Sequence, residues 1–270
     1  MTTLFPWLRV LLAVAIYVVF ALLASIGIRR VGADLKDMQG RTSMVVLAIG
    51  ALANVAVLAT VLLMLVLLDG RSLSSLGLDV TARDALVTAF AIGAIATLSA
   101  AFLSVVARRT QHRVRLLRIT PSATAMLGAV MMLGVLFVVA LQEEVVYRGY
   151  VAVNLLDEGW LVVALASIVS FTAIHLLTNR TSPAQVASWL LGASVLVCAY
   201  LVSGSIWVAV TLHFATDVTN VVALGIAGQY SLVEIAPPLS DRDRVMYRGA
   251  FAVSLIAILI GAFGTNVRIG

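Results

Sequence analysis

The chain has 270 residues, 62% of them hydrophobic and only 11% charged, with a formal net charge of +5. Soluble domains average about a quarter charged residues and about half apolar ones, so this composition excludes an ordinary soluble domain and points to a polytopic helical membrane protein. The positive charge is almost wholly arginine, Lys36 being the only lysine. No soluble module carries a basic face, which argues against nucleic-acid binding and for span flanks that meet anionic headgroups.

Apolar runs in chain order predict spans over residues 8–28, 44–68, 84–107, 121–154, 160–177, 184–202, 206–226 and 245–263. The first is too long for a signal-peptide core and lacks a clean cleavage site, so it reads as a retained span. The fold class expected is therefore all-α, a polytopic transmembrane helical bundle of about eight spans. It forms one membrane domain, 1–270, with the polar motifs gathered in a core at 121–226, and it shows no internal repeat. The densest basic block, Arg108, Arg109, Arg113, Arg115 and Arg118, reads as a cytoplasmic topology anchor. Alternating loops put about twelve or thirteen of the 18 basic residues on one side of the membrane, which predicts both termini on the other. Cys198, the only cysteine, sits in an apolar run; it excludes an intramolecular disulfide and reads as a small buried hydrophobe. The compact chain, with hardly any extramembrane domain, fits a multi-pass protein of a bacterial plasma membrane.

The fourth run is free of charge from Ala123 to Ala140 and then reads Leu141-Gln142-Glu143-Glu144-Val145-Val146-Tyr147-Arg148. A charge at such depth costs several kcal/mol unless it is paired or faces a wet cavity. On an α-helix Glu144 and Arg148 stand at i,i+4 in the favourable acid-before-base order. Glu143 shares a face with Tyr147 instead and keeps no built-in partner, which suits it to general-base work. The plainer alternative is that both acids pair with Arg148 and lock the helix.

Two later runs add polar groups. Phe171 and His175 share a face of the fifth span, and His213, Asp217 and Asn220 share a face of the seventh. At about 1.5 Å rise per residue, Glu143 lies roughly 17 Å, His175 roughly 23 Å, and His213 and Asp217 roughly 13 and 20 Å from turns on the same side. Three separate segments thus bring ionisable groups to matched depth, the pattern of a functional polar cavity.

In order and spacing, Glu143-Glu144-x-x-x-Arg148, Phe171-x-x-x-His175 and His213-x-x-x-Asp217 resemble the three-motif signature of the CPBP intramembrane proteases. That family includes type II CAAX prenyl endopeptidases and the bacteriocin-processing or self-immunity proteins called Abi. The resemblance covers residues 120–225. It implies an intramembrane endopeptidase in which Glu143 and His175 activate a water and His213 and Asp217 form the oxyanion site. Glu144, Arg148, Tyr147, Phe171 and Asn220 take structural or substrate-orienting places. The third motif ends in Asp217 where the family also uses asparagine, so a carboxylate here must orient a donor or be protonated; on the same face it can fix the His213 tautomer.

No His-Glu-x-x-His pattern occurs, so a zincin site is not encoded and the expectation is no metal cofactor. The alternative is a divalent ion such as zinc held by Glu143, His175, His213 and Asp217. The partners implied are membrane lipid and a peptide or protein substrate presented at the membrane; the sequence does not specify an oligomeric state. Two other functions stay open on the residues: a non-catalytic immunity or scaffold protein that keeps the polar cluster for binding, and a proton-coupled transporter. The transporter lacks the paired, Gly- or Pro-broken spans that such a fold shows in its two halves.

Overall fold

The computed structural model describes residues 6–31, 44–78, 113–116, 123–178, 182–219 and 233–236, with a few positions between 87 and 95 and at 249. Helix α1 (Pro6–Arg30) and helix α2 (Met44–Leu63, continued by a π-turn at Met64–Leu68) pack on each other. Helix α3 (Ala123–Glu144) runs through a π-turn (Val145–Tyr150) into the short α4 (Val151–Leu155) and a 3-10 turn (Leu156–Glu158). Then come α5 (Trp160–Thr178), α6 (Pro183–Ser203) and α7 (Ile206–Val218).

The breaks between these helices follow local chemistry. Gly159 (φ 103°) and Gly204 (φ 66°) take backbone angles that other residues rarely adopt, and each stops a helix. Ser182 caps α6 by accepting from the Gln185 N–H, with Pro183 in the tolerated first-turn position.

Among the described residues, five helices are long and apolar enough to cross a membrane: Pro6–Arg30, Val45–Leu68, Val130–Glu158, Trp160–Leu177 and Gln185–Ser203. The shorter apolar Ile206–Val218 joins them. The protein is thus a membrane-embedded, multi-pass helical bundle. Outer positions such as Leu11, Leu52, Val130 and Leu161 stay exposed, as lipid-facing side chains do when the surrounding medium is itself apolar. Of the third expected span only a helical stretch near residue 90 is described, where the Phe90 ring lies 6.5 Å from that of Phe214. The eighth expected span lies outside the described residues apart from Gly249.

Two short strands add to the all-α reading. Strand β1 (Arg113–Leu116), inside the basic block, pairs antiparallel with β2 (Val233–Ala236), Arg113 opposite Ala236 and Leu116 opposite Val233. Backbone groups of two inter-span segments satisfy one another there, which joins segments that span alternation places on one side.

The centre of the bundle is α3 with its π-turn. It packs against α2 and α7, while α5 and α6 pack together and α6 meets α7. Every residue from Gln142 to Leu155 is buried, so this stretch is enclosed on all sides rather than half-exposed to lipid.

Candidate active site

A π-turn widens the helix by one residue and is frequent at functional sites. Here it begins one residue after Glu144. The Arg148 guanidinium still reaches back, its Nη1 donating to Glu144 Oε1 at 3.1 Å, and neither side chain has any accessible surface. The Arg148 Cζ also sits 4.7 Å from the centre of the Phe171 ring, a cation–π contact from a second helix. The Tyr147 ring meets Phe171 edge-on at 5.6 Å and stands 6.0 Å from the ring of Tyr17 on α1. Phe171 stacks at 4.3 Å on His175, one helical turn later. His175 Nδ1 lies 2.9 Å from the Phe171 carbonyl. That oxygen can only accept, so Nδ1 carries the proton and the lone pair of the neutral ring falls on Nε2.

The link across the bundle is His213. Its Nδ1 lies 2.7 Å from Glu144 Oε1, so one carboxylate oxygen accepts from both Arg148 and His213. The other ring nitrogen, Nε2, is 3.4 Å from Asp217 Oδ2 and 3.8 Å from Glu143 Oε2. The tautomer of His213 is therefore set by Glu144, where the sequence suggested Asp217. Glu144 belongs to both the arginine pair and the histidine motif, which ties α3 to α7 through one buried hydrogen-bonded triad.

A cavity of about 200 Å³ opens between these helices. Glu143, His175, His213 and Asp217 all line it, with Phe171 beside them. The rest of the lining comes from Val139, Leu212 and Thr216 and from an α6 face of Ser188, Trp189, Gly192, Val195 and Leu196. No motif in the sequence marks this α6 wall. Its only sequence signal is the recurrence of Ser188, Gly192 and Val195 at helical spacing, which any apolar span shows. Trp189 packs 5.0 Å from His175 and closes the ring from behind. Asn220 lies outside the described residues.

Among the described residues no group of three or more His, Cys, Asp or Glu side chains is placed to hold a metal. With His213 Nδ1 given to Glu144, the ring nitrogen that faces Asp217 and Glu143 is Nε2.

Fold and site together define a helical membrane protein with a carboxylate–histidine cavity inside its bundle. Residues 125–219, about a third of the chain, match the family model described as Type II CAAX prenyl endopeptidase Rce1-like, the family that the three motifs resemble. That segment holds the two glutamates, Arg148, Phe171, both cavity histidines and Asp217. No curated protein and no solved structure matches the chain significantly.

Proposed function

We propose that the chain is a glutamate-dependent intramembrane endopeptidase. The observation that carries this is a single one: Glu143, His175, His213 and Asp217, from three helices, line one cavity within the segment that matches an endopeptidase family. In this reading the Glu143 carboxylate takes a proton from a water as the water oxygen bonds to the scissile carbonyl carbon. His175 helps hold that water. Charge develops on the carbonyl oxygen, and His213 Nε2 donates to it. Since Nδ1–H is given to Glu144, Nε2 donates only when the ring carries its second proton, an imidazolium balanced by Glu144 and Asp217. The proton on Glu143 then passes to the leaving amine as the C–N bond breaks. A donor so placed in a dry site contributes about 2.7–4 kcal/mol.

The substrate is a peptide or protein segment presented at the membrane, a prenylated CAAX-type tail being one candidate. The membrane in this reading is a bacterial plasma membrane. Purified protein in detergent, assayed on a quenched panel of membrane peptides that includes a farnesylated CAAX peptide, tests the proposal. Cleavage by wild type that is insensitive to a strong chelator is the expected result. Sensitivity to the chelator would restore the metal alternative, and a well-folded protein that cleaves nothing would favour the binding or immunity role.

The α6 wall gives a second expectation. A Cβ at Gly192 meets nothing within 4 Å and the residue lines the cavity. Gly192→Leu therefore fills substrate space. Replacing glycine within a helix gains about 1 kcal/mol of helix propensity, so stability holds or rises slightly. Peptides with large residues at the scissile bond should show a KM increase of roughly tenfold, the size expected when a methylene or two no longer fits. Peptides with small residues there should be cut at near wild-type rates. Equal loss on both peptide classes would remove the α6 wall from substrate binding.

A further inference from the structure

We propose that the loop at residues 69–78 is a positioning clamp: it grips the helix that carries Glu144 and the helix that carries His213 at once, and so sets the hydrogen bond between them. The loop follows α2 and lies outside the segment that matches the endopeptidase family. Its importance to catalysis rests on the function proposed above; the geometry it imposes does not.

The loop is a built element. Asp69 at its start pairs with Arg9 Nε of α1 at 3.3 Å, and the Arg71 N–H donates to Leu65 O. A short 3-10 turn (Leu73–Leu76) follows. The Ser75 N–H and Oγ both donate to Ser72 O, at 3.1 and 2.7 Å, and the Gly77 N–H donates to Ser74 O at 2.9 Å.

From this frame the loop holds both sides. Toward α3 and α4, Arg71 Nη1 donates to Val153 O at 2.6 Å. Leu76 is fully buried against Gly149 in the π-turn, five residues after Glu144; a Cβ at Gly149 would stand 3.1 Å from Leu76 Cδ2. Toward α7, Gly77 O accepts from the Ile206 N–H at 3.1 Å and Leu78 O accepts from Trp207 Nε1–H at 3.1 Å. Ser205 makes no side-chain cap on α7, so the loop carbonyl takes a first-turn amide that would otherwise be an orphan. His213 lies two turns farther along the same helix.

Gly77 is the pivot. Its φ of +74° disfavours any side chain, and a Cβ there would fall 2.7 Å from Gly204 O and 3.3 Å from Ile206 N. Adding one methyl group at Gly77 therefore pushes the start of α7 away from the loop, and His213 moves with it.

The test reads the Glu144–His213 bond directly. Protein labelled with ¹⁵N-histidine in lipid nanodiscs is compared by NMR, with His213 assigned from the signal lost in His213→Gln and the broken bond marked by Glu144→Gln. Gly77→Ala should shift the His213 Nδ1 resonance toward its position in Glu144→Gln. Trp207→Phe, which removes only the bond to Leu78 O, should shift it the same way by less, and Leu73→Ser at the exposed edge of the loop should leave it in place. In the cleavage assay Gly77→Ala should lower kcat roughly 10- to 10²-fold, with KM within about twofold, as a misplacement of about 1 Å does. A folded Gly77→Ala with wild-type His213 resonances overturns the clamp. If that variant does not fold, wild-type resonances in Trp207→Phe overturn it instead. A protein that cleaves nothing defeats the proposed peptidase and leaves the resonance test intact.

Discussion

Glu143→Gln is expected to lower kcat by about 10²–10⁴-fold, the span that a positioned general base contributes, while the protein stays folded. The amide is nearly isosteric, and the wild-type carboxylate stands 3.8 Å from His213 Nε2, beyond hydrogen-bond distance. Glu143 is also 95% buried, so removing its charge relieves desolvation instead of exposing a new unpaired group. Thermal unfolding in detergent should therefore match wild type or come slightly higher. The pairing of lost turnover with kept stability is the diagnostic result. An inactive variant that also unfolds early would make Glu143 a structural residue, and one that cuts peptides at the wild-type rate would sink the mechanism.

The site was legible in the sequence because ionisable residues in apolar spans are expensive and therefore informative. Glu144 and Arg148 could be paired from spacing alone, and the structure places them together at 3.1 Å. The meeting of Glu143, His175, His213 and Asp217 around one cavity followed from matched depth. Distances between helices follow from no local spacing. The hydrogen bond from His213 to Glu144 spans 69 positions of chain, and on sequence grounds Asp217, one turn away, was the natural partner. The π-turn at Val145–Tyr150 escaped because the stretch is buried all round, and a helix without an apolar stripe offers no periodicity in which one extra residue shows. The strand pairing of Arg113–Leu116 with Val233–Ala236 escaped for a related reason. Each is only four residues long and lies between predicted spans, and only the bundle brings them side by side. In sequence Arg71 to Arg83 looks like a short interfacial turn; the grip of residues 69–78 on Gly149 and Ile206 depends on shape, at Leu76 and Gly77, and not on charge.

Arg148→Met is the second large effect. The guanidinium is fully buried and does two things: it neutralises Glu144 at 3.1 Å and covers the Phe171 ring at 4.7 Å. Methionine keeps much of the volume and the contact with the ring but removes the charge. Glu144, which has no accessible surface, is then left with His213 as its one hydrogen-bond partner among the described residues. Removing one member of a buried pair costs about 3–5 kcal/mol, and the single His213 imidazolium is then left to balance both Glu144 and Asp217. Denaturant titration in detergent should show a loss of that size. The double variant Glu144→Gln/Arg148→Met should recover most of it. Gln Oε1 still accepts from His213 Nδ1 but carries no charge to strand, and uncharged replacements of buried pairs are often neutral. Arg148→Lys should fall between, keeping the charge while losing the planar fork and the stack on Phe171. Activity should separate from stability in this series. Phe171 lies between Arg148 and His175, the latter stacked on it at 4.3 Å, so a variant that regains its stability without the guanidinium still leaves the ring less constrained. The double variant is thus expected to fold well and cleave slowly. Wild-type stability in Arg148→Met alone would show that Glu144 finds its compensation elsewhere, and the shared-carboxylate triad would no longer account for the site.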